Sequence, residues 1–202
     1  MKIIIDAYGG DNSPGEIVKG ALAALKEKEN FDLVLVGKEG GIKSVLAEEE
    51  YDTLRVSVVD ADEVIGCDET PTDAIRKKPD SSVVKCVRLL KDDENAEAFV
   101  SAGSTGAVLT AAVLLSPRIK GVNRPALAPL FPNMKGGETL FLDCGANADC
   151  KPINLQQFAV MGSVYMNQVK GVKQPKVALL SNGTEDAKGN ALTKEAFVLL
   201  KN

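Results

Sequence analysis

Short runs of Val, Ile and Leu that alternate with helical segments constrain the fold of this chain more than any other feature. The strand-like runs are KIIID, FDLVLVG, RVSVVDA, AEAFVSA, ETLFLDCG and PKVALLS. The helical patterns cover residues 14–28, 82–91, 105–115, 155–169 and 191–200. Strands that are almost continuously apolar are buried on both faces, and helices between them favour parallel pairing. The pattern therefore predicts an α/β fold of three layers with a mainly parallel sheet.

The length of the chain limits the number of domains that it can form. With 202 residues, one domain buries roughly two thirds of its unfolded surface, which is enough for a sheet covered on both faces. We therefore predict a single α/β domain over 1–202. The final residues, VLLKN, follow a helical pattern with no closing strand, so we expect the N-terminal part of a longer chain.

Charge and aromatic content exclude several classes of partner. The formal net charge is −4 and 4% of the residues are aromatic, so the chain lacks the basic and stacking surfaces that nucleic acids require. The first apolar run is too short for a signal peptide, and no later run approaches the roughly 18 residues of a membrane span. These features predict a cytoplasmic protein that binds no nucleic acid.

The cysteines do not form a recognisable metal motif. Cys67, Cys86, Cys144 and Cys150 form no CxxC pair, and the chain has no histidine, so a zinc site would need four scattered thiolates. We expect reduced thiols and no bound metal.

Four turns carry the residues that could do chemistry. They are DAYGGDN at 6–12, SAGSTGA at 101–107, DCGANADCKP at 143–152 and SNGTEDAKGN at 181–190. Each follows a predicted strand, and ligands of open parallel sheets bind outside the carboxyl ends of the strands. Gly, Asn and Asp in one turn are equally well explained by turn geometry. Four such turns together favour a site.

The 101–107 turn is the best candidate for binding an anion. Gly103 and Gly106 allow backbone N–H groups to approach a ligand, Ser104 and Thr105 add hydroxyl groups, and the following helix directs its positive end there. No lysine follows Gly106, so the turn is not a P-loop. The first turn does not match GxGxxG, and Asp11 would repel a pyrophosphate, so we expect no nucleotide cofactor.

Several charged residues remain open to two interpretations. Asp6 and Asp11 could bind a metal ion, accept hydrogen bonds from a ligand, or brace their turn. Arg118 and Arg124 could close on a phosphate or lie solvated on the surface, and Lys188 has the same ambiguity. Asp143 and Asn147 follow a predicted strand, where a polar pair is more readily explained by a site than by packing.

Seven stretches of the sequence resemble one family. They are IDAYGGDNSPGEIVKGALAAL, DETPTDAIRKKPDSS, AFVSAGSTGAVL, RIKGVNRPALAP, LDCGANADCKP, LQQFAVMGSVY and NGTEDAKGN. With them the chain resembles the PlsX phosphate acyltransferases of bacterial phospholipid synthesis. The resemblance implies formation of acyl phosphate from acyl carrier protein thioesters and inorganic phosphate. It also implies an α/β/α sandwich similar to isopropylmalate dehydrogenase and phosphotransacetylase. Tyr8, Ser104 and Ser181 depart from the usual pattern of the family, which commonly has Met, Asn and Asn there.

The turns and the resemblance together give the candidate site residues. The candidate catalytic residues are Asp143, Asn147, Asn182, Glu185 and Lys188. The candidate substrate-binding residues are Asp6, Gly9, Gly10, Asp11, Ser101, Gly103, Ser104, Thr105, Gly106, Arg118, Arg124, Gly145, Gly183 and Thr184. The resemblance further implies a homodimer, peripheral contact with the inner face of the membrane and a glycerol-phosphate acyltransferase partner. It also implies family members that continue well beyond residue 202.

The implied reaction needs no histidine. Phosphate is largely dianionic near neutral pH if its second pKa lies at about 6, and a thiol with a pKa of about 8.5 leaves readily as the thiolate. We therefore expect phosphate at Ser104, Thr105 and Gly106, assisted by Arg118 or Arg124. The thioester oxygen is expected to face donors of the 143–147 and 182–185 turns.

Three alternatives stay open at this point. One is a covalent acyl-enzyme on Cys144 or Cys150, which an imidazole partner would normally assist. Another is a non-catalytic module that binds acyl carrier protein or a partner enzyme, with IRKKPDSS and KCVRLLK as its basic rim. The last is a nicotinamide dehydrogenase, which rests on fold analogy alone.

Overall fold

The consecutive isoleucines of the first strand show how both faces of a sheet become buried. Ile5 packs with Leu33 and Leu35 on one face, whereas Ile4 packs with Val34 on the other. Successive side chains of a strand point to opposite faces. A strand that is covered by helices on both sides is therefore apolar at nearly every position.

The structure is a computed structural model that describes residues 1–185 and 188–201. Two compact units divide the chain, Met1–Arg118 and Ile119–Asn202. The single domain expected over 1–202 stays a prediction. Each unit is described by itself.

The first unit alternates strands and helices. In chain order its elements are β1 (Lys2–Asp6), α1 (Gly15–Glu27), β2 (Asp32–Gly37), α2 (Glu39–Leu46), β3 (Val56–Asp60), α3 (Pro71–Lys77), α4 (Ser82–Asp92), β4 (Ala96–Val100) and α5 (Thr105–Leu115). The four strands form one sheet in the order β3-β2-β1-β4. All neighbours are parallel, with β1 in register with β2 from Lys2 opposite Asp32.

Helices cover both faces of this sheet. On one face, Val18 and Leu22 of α1 and Ile42 of α2 pack against β1 and β2. On the other face, Cys86 of α4 packs against Ile4, and α5 packs on α3 and α4. The first unit therefore has the three layers that the sequence predicts.

The second unit has fewer strands. Its described elements are β5 (Leu130–Pro132), β6 (Glu138–Leu140), α6 (Pro152–Gln168) and α7 (Ala191–Lys201). The two strands pair antiparallel, and the two helices pack against each other.

Most predicted elements are confirmed, and several details are wrong. The ETLFLDCG run forms only the short strand β6, and PKVALLS, residues 175–181, forms no strand at all. A strand needs a hydrogen-bonded neighbour, and the described part of the second unit offers none to this segment. The helices α2 and α3 were not expected, because the first contains two adjacent glycines and the second is short.

Candidate active site

The ends of β1 and β4 are joined by a hydrogen bond between side chains. The hydroxyl of Ser101 donates to Oδ2 of Asp6 over 2.7 Å. The other carboxylate oxygen accepts the backbone N–H of Tyr8 over 3.3 Å, and Asp6 is 3% exposed. In this structure Asp6 therefore braces the first turn, one of the three roles that the sequence left open.

Two glycines allow the two turns to touch. A Cβ atom at Gly9 would lie 2.7 Å from both Oδ2 of Asp6 and Oγ of Ser101, and 2.9 Å from the backbone nitrogen of Gly103. A Cβ atom at Gly103 would in turn lie 3.2 Å from Cα of Gly9. Gly10 has a φ of 99° beside the carbonyl of Ala102. The glycines thus permit a backbone contact that larger residues would prevent.

The first turn of α5 presents backbone donors at the same edge. Ser104 is the N-cap, and its hydroxyl accepts the N–H of Ala107 over 3.3 Å. Among the described residues, no hydrogen bond uses the N–H groups of Thr105 or Gly106. The side chain of Thr105 is exposed, and a Cβ at Gly106 would lie 2.9 Å from Cγ of Pro71. The first turn of α5 therefore has two backbone donors that no hydrogen bond among the described residues uses.

A small cleft lies against these residues, and the sequence did not reveal its other wall. Its lining includes Asp6, Tyr8, Gly9, Ser101, Gly103 and Ser104 and, from α4, Ser82 and Val83. Ser82 is 3% exposed and begins α4, so two helices direct their N-terminal ends to one cleft. The Asp-Ser-Ser sequence before an amphipathic helix was the available signal for this helix start, at which Ser81 is the N-cap and Ser82 the first helical residue. Its position beside α5 depends on packing across the sheet.

Ionic contacts hold the segment that leads to Ser82. Lys78 donates a 2.7 Å hydrogen bond to Oε1 of Glu69 and a 2.8 Å bond to the carbonyl of Val64. The hydrogen bond from Lys78, together with one from the backbone of Gly66, lowers the pKa of Glu69. These contacts hold the residues that precede α4 in the chain.

Tyr8 fills space that two glycines leave open. Its ring carbons lie where a Cβ of Gly37 would stand, and its hydroxyl lies where a Cβ of Gly41 would stand. Burial raises the pKa of Tyr8 above its ordinary value. Tyr8 stands where the family commonly has methionine, and the space beside Gly37 and Gly41 accommodates its larger side chain.

In the second unit, Asp143 organises the 143–147 turn. Its carboxylate accepts the backbone N–H groups of Leu127, Ala146 and Asn147 over 2.8, 3.1 and 2.7 Å, and the amide of Asn147 over 2.9 Å. Burial raises the pKa of Asp143, and these hydrogen bonds outweigh burial, so the pKa lies below its ordinary value. Among the described residues, no hydrogen bond uses the N–H of Gly145, so this group can be offered to a ligand.

Arg124 belongs to the same network. It donates to the carbonyl of Asp149 over 3.0 Å and to Oδ1 of Asn147 over 3.4 Å, while the amide of Asn147 also donates to the carbonyl of Pro125 over 2.9 Å. A role for Arg124 with phosphate stays a prediction, since here its guanidinium fastens the turn.

The 181–190 turn is described except for residues 186 and 187. Oδ1 of Asn182 accepts the N–H of Gly189 over 3.0 Å. A Cβ at Gly183 would lie 2.7 Å from Oε2 of Glu185 and 2.8 Å from Cγ of Lys188, so both side chains lie against the glycine. Thr184 is exposed. The turn thus brings the side chains of Glu185 and Lys188 against Gly183.

Two predicted residues lie apart from the cleft lining. Asp11 is exposed in the first turn. Arg118 follows the C-terminal end of α5, an 11-residue helix that rises about 16 Å from its Ser104 end. The part that each plays in binding stays a prediction.

All residues, 1–202, match the family described as fatty acid synthesis protein. The chain belongs to this family. The relatives named phosphate acyltransferase confirm the resemblance: one from Clostridium novyi is 50% identical over 201 residues, and one from Fusobacterium nucleatum is 53% identical over 201 residues. The matches cover 100% of this chain and 60% of each relative.

Solved structures of this fold class agree with the predicted architecture. A phosphotransacetylase from Streptococcus pyogenes matches with a TM-score of 0.70 at 19% identity, covering 100% of this chain and 66% of its own. The EutD phosphotransacetylase from Staphylococcus aureus matches with a TM-score of 0.65 at 18% identity, covering 100% of this chain and 63% of its own. The α/β/α sandwich with a mainly parallel sheet is confirmed.

Within residues 1–185 and 188–201, no group of three or more acidic or cysteine side chains is arranged to hold a metal ion. In the same part of the chain, no helix combines the length and apolar character that crossing a bilayer requires.

Proposed function

We propose that this chain acts as a phosphate acyltransferase that forms acyl phosphate from an acyl carrier protein thioester and inorganic phosphate. Relatives of that name that are about half identical support the proposal. Because the chain spans 60% of their length, the proposal concerns the whole protein. The observation that supports it structurally is the first turn of α5, where no hydrogen bond among the described residues uses the N–H groups of Thr105 and Gly106.

The reaction joins two reactants that are already reactive. An oxygen of the phosphate dianion attacks the thioester carbonyl carbon, and a C–O bond forms. The tetrahedral intermediate then collapses, the C–S bond breaks, and the thiolate leaves and takes a proton from solvent. Positioning supplies ~7–11 kcal/mol and one oxyanion donor ~3–4 kcal/mol. The proposed chemistry therefore needs neither a general base nor a cofactor.

The phosphate is assigned to Ser104, Thr105 and Gly106. Backbone N–H groups at a helix N-terminus and the helix dipole both favour an anion. The buried carboxylate of Asp6 repels a dianion from the base of the cleft, so Asp6 with Ser101 is assigned to holding the turn. Ser82 and the N-terminus of α4 add positive potential from the opposite wall.

The turns of the second unit are proposed to handle the thioester. Gly145 and Asn182 to Thr184 are the candidate donors to its carbonyl oxygen, and Glu185 and Lys188 remain candidates for contact with the substrate. Asp143 and Asn147 are proposed to act through the shape of their turn, since their polar groups bind one another.

The location, the oligomeric state and the binding partners of the protein are part of the same proposal. Cytoplasmic location, a homodimer, contact with the inner face of the membrane and a glycerol-phosphate acyltransferase partner follow from the resemblance alone. Acidic carrier protein favours a basic rim, for which Arg76 and Lys77 are exposed. Lys78 and Lys85 instead pair with Glu69 and Asp80.

The covalent alternative through Cys150 is disfavoured by the state of its thiol. Burial and the negative charge of Asp143 raise the pKa of Cys150. A raised pKa leaves less thiolate, which is the nucleophilic form. No comparison favours the binding-module alternative.

The test is trapping of acyl phosphate with hydroxylamine. It uses the chain itself and a completed hybrid, in which the chain continues into the residues of the Fusobacterium nucleatum relative that lie outside the match. We expect acyl hydroxamate that depends on phosphate and on the acyl carrier protein thioester. Replacing Ser104 and Thr105 together by alanine should raise the KM for phosphate strongly. No hydroxamate from either protein, or an unchanged KM, would contradict the proposal.

A further inference from the structure

Helix α4 begins without a side-chain cap, although a serine stands at its N-cap and serine is a common capping residue. That serine is Ser81, and its side chain makes no capping hydrogen bond. Its hydroxyl instead donates to the carbonyl of Lys78 over 2.8 Å. The first N–H groups of a helix have no partner inside the helix, so they bind a side chain, water or a ligand. The start of α4 is therefore open to a ligand.

One of these N–H groups belongs to a buried residue of the cleft between the first turns of α4 and α5. Val83 is 4% exposed and lines this cleft. Among the described residues, no hydrogen bond uses the N–H of Val83. A buried N–H without a partner costs free energy unless an acceptor reaches it. The N–H of Val83 therefore indicates an acceptor that the described residues do not supply.

Ser82 supplies a second donor at the same wall of the cleft. It is 3% exposed and lines the cleft, and among the described residues its hydroxyl makes no hydrogen bond. In the same part of the chain, every fully enclosed side-chain oxygen or nitrogen has a hydrogen-bond partner. The hydroxyl of Ser82 has none, so it belongs to the small part of this residue that remains accessible. The cleft is the opening that this residue lines.

The opposite wall of the cleft offers a matching donor. The hydroxyl of Ser104 accepts the N–H of Ala107, and among the described residues it donates to no acceptor. A hydroxyl has one proton and two lone pairs, so Ser104 can still donate to a ligand. The empty space of the cleft is about 240 Å³, including the part that opens to solvent. Because the first turns of two helices carry positive potential, this space favours an anion.

The acidic groups around the cleft are already occupied. Asp6 is the charged residue of the lining, and its carboxylate accepts the hydroxyl of Ser101 and the N–H of Tyr8. Asp80, which precedes α4, pairs with Lys85, and the hydrogen bond from Lys85 is the main cause that lowers the pKa of Asp80. Asp6 repels an anion. The neutral donors of the two helices therefore determine where in the cleft an anion binds.

We propose that Ser82 is a phosphate-binding residue, whose hydroxyl donates together with the N–H of Val83 to oxygens of the phosphate that the first turn of α5 holds. A phosphate group fits this set of donors because its oxygens are strong acceptors. The inference rests on the proposed function for the identity of the anion. It adds a contact from α4 that the 101–107 turn does not imply.

Phosphate binding can be measured without turnover. A ligand that binds only the folded protein raises the free energy of unfolding by an amount that depends on its concentration and Kd. Urea denaturation at several concentrations of inorganic phosphate therefore gives the Kd for the chain itself and for the completed hybrid. Ser82→Ala should raise this Kd about tenfold or more, because a hydrogen bond to a charged ligand is lost. Without phosphate, the denaturation midpoint should not fall, since the hydroxyl has no partner among the described residues.

A matched serine serves as the control. Ser57 lies on β3, and its hydroxyl donates to the carbonyl of Leu33 over 3.2 Å. It does not line the cleft, so Ser57→Ala should leave the Kd for phosphate unchanged. In the completed hybrid, Ser82→Ala should raise the KM for phosphate by the same factor as the Kd. The KM for the acyl carrier protein thioester should stay unchanged, because the lost contact is with phosphate.

The outcomes separate this inference from the proposed function. An equal Kd for phosphate in the original protein and in Ser82→Ala would overturn the inference, as would the absence of phosphate binding from both proteins. A raised KM for the thioester with an unchanged KM for phosphate would assign Ser82 to the other substrate and overturn it as well. Phosphate binding that Ser82→Ala weakens, in a hybrid that forms no acyl phosphate, would support the inference and contradict the proposed function.

Discussion

The hydroxyl of Ser101 donates a 2.7 Å hydrogen bond to the carboxylate of Asp6, and this bond ties the end of β4 to the end of β1. Asp6 is 3% exposed, so water cannot readily replace the donor. The contact also positions the backbone of Gly103 against Gly9. The shape of the candidate anion turn therefore depends on one pair of side chains.

Ser101→Ala should lower the free energy of unfolding by ~1–3 kcal/mol, because a buried carboxylate loses its hydroxyl donor. Urea denaturation followed by circular dichroism measures the change. Ser44→Ala is the matched control, since the hydroxyl of Ser44 is exposed and donates only to the carbonyl of Gly40. Equal effects of the two changes would contradict the bracing role.

Gly9→Ala should destabilise the protein by ~1–3 kcal/mol, because the added methyl group meets a buried carboxylate, a hydroxyl and a backbone nitrogen that have no free space. Gly20→Ala is the control, and it should stabilise the protein instead. A Cβ at Gly20 meets nothing within 4 Å, and replacing glycine by alanine in a helix raises the free energy of unfolding by up to ~1 kcal/mol. The same denaturation experiment compares them. A stable Gly9→Ala protein would show that the turns do not need this contact.

The sheet could be predicted from the sequence because its signals are local. Each strand of the first unit is a nearly continuous apolar run, and α1 and α5 begin close to where the pattern places them. The helix starts agree to within a few residues: the N-cap of α1 is Pro14, and that of α6 is Lys151. The PKVALLS run failed as a strand because pairing depends on a neighbour, which no local pattern supplies.

The candidate site could also be predicted in part, namely where it depends on the ends of parallel strands. Asp6, Gly9, Ser101 and Gly103 meet because the carboxyl ends of parallel strands share one edge, which follows from the fold alone. Ser82 was missed because its place in the cleft depends on how α4 packs across the sheet. The partners of Asp143 also required the structure, since three of its donors are backbone groups.

Ser104→Asp separates binding from folding. Aspartate caps a helix as well as serine does, so the free energy of unfolding should change little. The added charge should raise the KM for phosphate about tenfold or more through close repulsion. Ser104→Asn keeps the cap without the charge, and its KM should stay near the original value. Equal KM values for the two variants, measured in the completed hybrid, would remove phosphate from this turn.

Asp143→Asn should lower the free energy of unfolding at neutral pH by about 1 kcal/mol. The effect is no larger because Asp143 is only partly buried and solvent screens its charge. The pKa of Asp143 is lowered in the folded state. Its carboxylate therefore stabilises the fold above the ordinary aspartate pKa of about 3.9, and this contribution is lost as the pH falls through the lower folded-state value.

Denaturation at pH 7 and at about pH 3 should therefore give a difference between the original protein and Asp143→Asn that shrinks in acid. Asp149→Asn, at a neighbouring exposed carboxylate, serves as the control. A difference that does not change with pH would show that the hydrogen bonds to Asp143 do not depend on its charge.

Replacing Cys144 and Cys150 together by serine should leave hydroxamate formation by the completed hybrid within about twofold, because the proposed attack on the thioester comes from phosphate. Loss of activity with an unchanged circular dichroism spectrum would favour the acyl-cysteine route.

The most direct measurement follows the oxygen atoms of phosphate. The completed hybrid is supplied with an acyl carrier protein thioester and with inorganic phosphate labelled with oxygen-18 at every oxygen. The mass of the product is then measured by mass spectrometry. If phosphate is the nucleophile, the acyl phosphate carries all the labelled oxygens, including the one that bridges carbon and phosphorus. Free fatty acid with an oxygen from water, and no labelled acyl phosphate, would contradict the account.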